Sequence, residues 1–287
     1  MPALWMILAS VLFACMGVCV KLGADRFAIA ELTFYRGLAG VLFMALFMRH
    51  RGTAFRTRHW RLQVSRAVAG SVALGCYFFA ISRLPLASAV TLNYTSPIFV
   101  ALLLAVWFRE TLRPLAIVAV LLGFVGVVTL LRPTLAAEQW LGALAGLGSG
   151  LIASLAYINV RELGRAGEPE SRTVFYFSCI TCLGALPFVL AGGGFRQPEP
   201  AGAALVLGIG VFGTAAQLAM TRAYRVGATI VAANLAYSTV VFASLFGVLL
   251  WGEVLPAPAW LGIALIMGSG ILVTRARAPV AGISRGD

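Results

Sequence analysis

Residues 92–99 read LNYTSPIF, inside LPLASAVTLNYTSPIFVALLLAVWF, an apolar run from Leu84 to Phe108. Asn93, Tyr94, Thr95 and Ser96 bring polar side chains into that run, and Pro97 has no amide hydrogen to give. A polar side chain deep in hydrocarbon is costly unless it faces protein or a water-filled space. The meaning of this stretch therefore depends on whether the run around it crosses a membrane.

Composition says that it does. The chain has 287 residues, 61% hydrophobic and 11% charged, with a mean hydropathy of +0.94. Soluble domains carry about 25% charged residues. Ten runs of roughly membrane length can be drawn: 3–22, 30–48, 66–82, 84–108, 113–131, 140–160, 173–192, 201–221, 228–251 and 257–274. They are rich in Leu, Ala, Val and Gly, without the two-residue alternation of an outer-membrane barrel. The expected fold is an all-α polytopic membrane protein of ten transmembrane helices, with short connections and no extramembrane domain. The first run lacks a preceding basic segment and a small-residue cleavage site, so it reads as a retained span.

The net charge of +12 reports orientation rather than nucleic acid. With the N-terminus placed in the cytoplasm, 16 of the 22 Lys and Arg fall on the inner side and five on the outer, while Arg36 lies within a span. That is the positive-inside bias, and it puts both termini in the cytoplasm of a bacterial inner membrane. The basic residues are scattered over separate loops, which does not suit a nucleic-acid surface. All five cysteines fall within spans, and Cys179-Ile-Thr-Cys182 reads as small apolar filler rather than a redox or metal pair. No metal and no cofactor is expected.

The chain repeats itself. Shifted by 143 residues, LNYTSPIFVALLLAVWFRETL (92–112) lies over LAYSTVVFASLFGVLLWGEVL (235–255), with Tyr94 on Tyr237, Phe99 on Phe242 and Glu110 on Glu253. Earlier spans align more weakly, Thr33 near Thr173. Five spans per half is an odd number, so the halves enter the membrane from opposite sides. Inverted repeats of this kind place a binding site near the midplane, between the halves. The expected divisions are a first five-helix repeat over 1–134, a second, inverted one over 135–277, and a cytoplasmic tail over 278–287.

The tract AISRLPLASAVTLNYTSPIFVALLLAVWFRETLRP (80–114) and its partner AYRVGATIVAANLAYSTVVFASLFGVLLWGEVLPAPAWLGIALIMGSGILV (223–273) resemble the EamA family of the drug/metabolite transporter (DMT) superfamily. The small-residue entry, aromatic-polar turn, terminal Glu and Gly-rich following helix fit the family in both halves. The second half departs from the first in having Val240 where Pro97 stands. The resemblance implies a transporter fold over essentially the whole chain and says little of substrate. Within the family the chain is most similar to YddG-like exporters, which implies export of aromatic and other neutral amino acids.

The polar groups of the opening stretch then acquire a place. Thr91, Tyr94 and Thr95 share one face of the fourth span, and Asn234, Tyr237 and Ser238 share one face of the ninth. The 143-residue shift maps the first trio onto the second, so all six are expected to line a common cavity. Pro97 leaves the Asn93 carbonyl without its helical donor, either as a binding group with a hinge or as a static kink. Tyr77, Tyr157, Gln217 and Met220 are further cavity candidates, with plain interhelix packing as the alternative for each. Tyr157 and Asn159 lie about 200° apart on their helix, so only one faces inward, and Tyr157 is nearer the middle. Arg36 either attracts a carboxylate, pairs with Glu31, or snorkels to the outer interface; five residues apart, it and Glu31 make a poor local pair. Glu110 and Glu253 read as helix-end or gate residues. Gly142, Gly146, Gly148 and Gly150 are expected to let the sixth span approach a neighbour, as are Gly123, Gly126, Gly268 and Gly270 in the fifth and tenth.

Three function classes were weighed. An enzyme needs a nucleophile or acid–base pair with an orienting partner. The two histidines, His50 and His59, both sit in the Arg-rich loop after the second span, and no HExxH or GxSxG motif is present. A channel would want rings of charge or a selectivity filter. There is no Walker motif to power transport. What remains is a secondary transporter, expected as a monomer in the bilayer, moving small metabolites by alternating access. A cavity of hydroxyls, amides and rings with almost no fixed charge suits zwitterions such as amino acids. The alternative is an organic cation held by Tyr and Trp faces.

Overall fold

In hydrocarbon every backbone N–H and C=O must be paired within its own segment, and a helix is the only way a single span can do this. The computed structural model, which describes residues 2–84, 86–131, 139–196, 199–252 and 254–275, is built accordingly. Its helices are α1 (Pro2–Gly23), α2 (Ile29–His50), α3 (Trp60–Arg83), α4 (Leu86–Asn93), α5 (Ser96–Val106), α6 (Pro114–Leu131), α7 (Trp140–Arg165), α8 (Glu170–Ala191), α9 (Pro200–Val226), α10 (Thr229–Leu235), α11 (Ser238–Trp251) and α12 (Ala257–Arg275). Among the described residues nine helical stretches are long and apolar enough to cross a membrane, the α4–α5 and α10–α11 pairs each counting once. α3 is not among them. It starts six residues before the expected span and carries Arg61, Gln63 and Arg66 in its first two turns. The expected division at 134/135, the tail from 278 and Glu253 lie outside the described residues.

The dominant packings run between the halves. α3 lies on α7, α1 on α9, α2 on α8 and α6 on α12. Exchanging each helix of the first half for its counterpart in the second turns α3–α7 into α9–α1 and maps the other two pairs onto themselves. Outward, Leu46, Val106, Phe188 and Leu249 remain exposed, a surface made for lipid rather than water.

The fourth and ninth spans, expected as single helices with a kink at Pro97, are each interrupted. Between α4 and α5 the chain tightens to three-residue hydrogen bonds, Thr95 N–H to the Leu92 carbonyl at 3.2 Å and Ile98 N–H to the Thr95 carbonyl at 2.9 Å. Between α10 and α11 the Tyr237 amide does the same to Asn234, and Val240 to Tyr237. The second interruption has no proline, so proline is not the common cause. Each break also carries a hydroxyl bonded back to its own helix: Thr95 Oγ1 donates to the Leu92 carbonyl at 2.6 Å, and Ser238 Oγ to the Leu235 carbonyl at 2.6 Å. Ser149 and Ser154 in α7 and Ser269 in α12 make the same bond without a break, so the hydroxyl accompanies the interruption and does not by itself cause it. Pro97 sits in the first turn of α5, where its missing N–H costs nothing.

Glycines bring the halves together at a few points. A Cβ on Gly262 would lie 2.7 Å from both the Gly126 carbonyl oxygen and the Leu130 nitrogen, so α6 and α12 touch backbone to backbone. Gly142, Gly146 and Gly150 of α7 likewise face Leu84, Leu92 and Thr95. Gly148 and Gly268 have nothing within 4 Å of an added Cβ, which corrects their expected packing role. In a helix two positions two residues apart point about 200° apart, so one of each GxG pair must turn away. Gly262→Val is expected to lower the thermal midpoint of detergent-purified protein, at a cost of about 1–3 kcal/mol from overpacking. Gly268→Ala should leave it unchanged, both read by size-exclusion after heating.

Candidate functional site

The two interruptions bring Tyr94 and Tyr237 together, with ring centroids 6.3 Å apart at 36°. Tyr237 is 0% exposed, packed among Val127, Val240 and Ile266 and set against Gly123, and its hydroxyl has no partner among the described residues. The flanking polar residues reach outward to other helices. Asn93 Nδ2 donates to Ser149 Oγ at 3.0 Å, and Asn234 Nδ2 to the Ala119 carbonyl at 3.0 Å while Ser269 donates to its Oδ1 at 3.4 Å. Thr91 is buried, and Thr95 and Ser238 serve their own backbone. The Asn93 carbonyl lies against Gly150, close enough that a Cβ there would sit 3.1 Å away. In this conformation the six expected residues meet at their tyrosines, while Asn234 is held by α6 and α12 and Thr95 and Ser238 by their own backbone.

The open space lies elsewhere. A small void of about 10 Å³, room for a single water, is lined by Arg36, Val174, Phe177, Ser178, Thr181, Thr214 and Gln217 between α2, α8 and α9. Arg36 neither snorkels nor pairs with Glu31. It turns inward, Nη2 3.5 Å from Gln217 Oε1 and its guanidinium 5.6 Å from the Phe177 ring centre. Arg66 reaches the same ring from α3 at 4.1 Å. Arg66 is 2% exposed, and its Nε and Nη1 find no partner among the described residues. The inner-side tally of basic residues includes Arg66. The signal that finds it is a helical face: Gln63, Arg66, Gly70 and Tyr77 recur at three, four and seven residues once α3 is started at Trp60, and Gly70 leaves the room that Arg66 Nη1 and Phe177 fill.

A second cavity, about 220 Å³, opens at the arginine-rich end and is lined by Glu110, Arg161, Arg165, Tyr224, Arg225 and Thr229 among others. Glu110 is ion-paired to Arg161, with Arg165 3.7 Å away. Tyr224 stacks on Tyr157 with centroids 5.0 Å apart at 11°. Tyr224 lines this cavity, so the stacked pair stands at its wall. One face of α9 links the two cavities: Gln217 Nε2, Thr221 Oγ1 and Tyr224 OH are all buried without a partner among the described residues. Of the remaining candidates, Tyr77 packs beside Leu92 and Ala145, and Met220 sits in the apolar cluster with Met6 and Ala223. Among the described residues no group of His, Cys, Asp and Glu could hold a metal, and the five cysteines are free.

Both ends of the bundle are latched by a buried carboxylate. Glu31, 1% exposed, accepts from the Ala28 amide and from the Arg196 amide across the halves, each at 2.7 Å. Glu168, 5% exposed, accepts from Thr57 Oγ1 at 2.6 Å, Arg172 Nη1 at 2.8 Å and Gln63 Nε2 at 3.2 Å. Each carboxylate stands at the start of its half's second helix and grips the connection between the second and third helices of the other half. Burial pushes the Glu168 carboxyl up, but the hydrogen bonds from Thr57 and Arg172, the Arg172 charge and Gln63 outweigh it and hold its pKa below the ordinary Glu value.

A multi-pass helical bundle with charge and unpaired polar groups along an inner face is the build of a membrane transporter. The chain belongs to the EamA-like transporter family, whose model matches residues 1–132 and 140–275. It is 33% identical over 272 residues to the pseudopaline exporter CntI of Pseudomonas aeruginosa (strain UCBPP-PA14), covering 94% of this chain and 95% of that protein. It is 27% identical over 283 residues to a riboflavin transporter of Rhizobium johnstonii, covering 95% and 90%. A solved crystal structure superposes with a TM-score of 0.86 at 20% identity, covering 96% of each chain, which speaks for the fold alone.

The Glu168 latch has a pH signature. A carboxylate whose pKa is depressed by folding stabilises the fold at pH above its unfolded value, about 4.3, and loses that contribution as the pH falls through its folded value. Glu168→Gln is therefore expected to lower the thermal midpoint at pH 7, with the gap to wild type narrowing below about pH 4. A gap that does not change with pH would assign the loss to packing instead.

Proposed function

We propose that the protein is an inner-membrane secondary exporter, with both termini cytoplasmic, in which ten spans form two inverted five-helix halves. The halves rock about a midplane site and expose it to one side at a time. Its cargo is small amino-acid-like metabolites, aromatic and other neutral amino acids included. The observation that carries this reading is the line of unpaired polar atoms on α9, from Tyr224 beside the 220 Å³ cavity through Thr221 to Gln217 beside Arg36. Buried polar atoms without partners are rare in a finished core. A row of them leading from an open cavity to the middle of a membrane is what a polar solute in transit requires.

Other observations point the same way. The symmetric pairing of the halves suits alternating access, since either latch can open while the other holds. The relative whose printed name is an exporter supports the outward direction. An organic-cation exporter is the weaker alternative, because Arg36 and Arg66 would repel such a cargo from the route. An enzyme finds no acid–base pair along it.

Purified protein in liposomes, loaded with labelled Phe, Trp or Met, tests the reading. Saturable efflux that is lost on Tyr94→Ala, by an order of magnitude or more, with unchanged expression and monodispersity, is the expected outcome. Flux equal to that of empty liposomes for every metabolite tried, with or without a pH gradient, would overturn it.

A further inference from the structure

Two guanidiniums stand inside the bundle without a counter-charge. Arg36 and Arg66 approach the same Phe177 ring, from α2 and α3, so their separation is at most the two ring distances laid end to end. No carboxylate among the described residues pairs with either: Glu31 is bound to the Ala28 and Arg196 amides, Glu168 to Thr57, Gln63 and Arg172, and Glu110 to Arg161. Arg36 has only the neutral Gln217 oxygen, at 3.5 Å. Arg66, 2% exposed, has two nitrogens without any partner, and Gln217, 4% exposed, keeps its amide nitrogen unpaired at the edge of the same void.

A buried charge left uncompensated is among the most costly features a fold can carry. A structural arginine would have been given a carboxylate or a ring of carbonyls. These two have the face of the Phe177 ring and, for Arg36, the Gln217 amide, which leaves Nε and Nη1 of Arg66 free for something that enters. A guanidinium presents parallel N–H groups that match a carboxylate in shape and charge. Ser178, Thr181 and Thr214 on the void wall add hydroxyls able to meet further oxygens.

We infer that Arg36 and Arg66, with Gln217, form a carboxylate-binding subsite on the translocation route, and that the solute it selects carries more carboxylate than amine. The inference rests on the transport reading above and ranks its cargo, with acidic amino-acid-like solutes held more tightly than the neutral amino acids that also pass. A neutral amino acid would bring one carboxylate and one ammonium, and would leave the double positive charge in place. A dicarboxylate, or an amino acid with an added acid group, would cancel it. The void must widen to admit such a solute, which the rocking of α2 and α3 against α8 and α9 would allow.

L-Glutamate and L-glutamine separate charge from shape, so the test uses that pair, with citrate as a second anion. On the purified full-length protein, binding is read by the shift of the unfolding midpoint with ligand concentration. Glutamate and citrate are expected to stabilise the wild type, and glutamine to do so at least about 10-fold more weakly. Gln217→Glu is isosteric and plants a carboxylate beside Arg36. It is expected to raise the midpoint of the free protein and to weaken glutamate by about 10-fold or more. Arg66→Lys keeps the charge without the fork and should weaken glutamate less than Arg66→Gln does. Equal binding of glutamate and glutamine by wild type, or unchanged glutamate binding in Gln217→Glu, would overturn the inference. Counterflow in liposomes tells this failure from the other. Phe or Met moving while glutamate and citrate do not would sink the subsite and leave the transporter standing. Charge-selective binding with no flux of any solute would sink the transporter and leave the subsite.

Discussion

A hydroxyl in hydrocarbon must find an acceptor, and the nearest is its own helix. Thr95 and Ser238 meet that demand in the same way, each by bonding the carbonyl three residues back. Ser149, Ser154 and Ser269 do the same inside unbroken helices, so the bond alone does not break a span, yet both of these spans break at corresponding places. From those breaks follow the short helices α4, α5, α10 and α11, the meeting of the Tyr94 and Tyr237 rings, and the freedom of Asn93 and Asn234 to reach α7 and α6. The close approach of Gly150 and Gly123 to these breaks then fixes the neighbouring helices around them.

The two ends of the molecule obey the same economy of polar groups. Glu31 and Glu168 are each too buried to be left unpaired, and each is satisfied by the other half of the chain. A carboxylate that depends on the opposite half is a joint rather than a brace, because separation of the halves at that end exposes it to water, which can replace the lost donors. Partners nearer in sequence, Arg172 for Glu168 and the Ala28 amide for Glu31, remain when the joint opens. Opening one end while the other stays dry and paired is therefore less costly than opening both.

How much of this could be read from sequence depends on range. Apolar runs of about 20 residues declare helices because the signal adds along the run, and the observed bounds fall within three residues of the expected ones for seven of the ten, while α7 and α9 run five residues further. The pairing of the two polar patches was visible because the 143-residue shift lays Tyr94 and Thr95 over Tyr237 and Ser238, but that both spans break there was not. What failed was the start of α3. HWRLQVSR reads as a loop because Gln63 and Arg66 are tolerable in a buried helix only through Glu168 and Phe177, about a hundred residues away in sequence. Pro97 is the loudest local signal, yet the ninth span breaks with Val240 in that place.

The frame is symmetric and the charge is not. α8 from Thr173 to Ala191 and α9 from Pro200 to Thr221 contain no charged residue, whereas their counterparts α2 and α3 carry Arg36 and Arg66. By the weaker alignment that puts Thr33 near Thr173, Arg36 falls on Tyr176, whose hydroxyl instead bonds the Phe55 carbonyl. Symmetry of the packing serves the motion, since a device that must close equally well at both ends gains from having one design used twice. Symmetry of the charge would serve nothing: four guanidiniums around one void would repel one another beyond what any small solute could offset. The first half therefore supplies the charge and the second supplies Phe177, Gln217 and the hydroxyls it faces. On the proposed transport reading, a cargo bound there would touch both halves at once, and this shared grip would let occupancy of the site bias the motion of one half against the other.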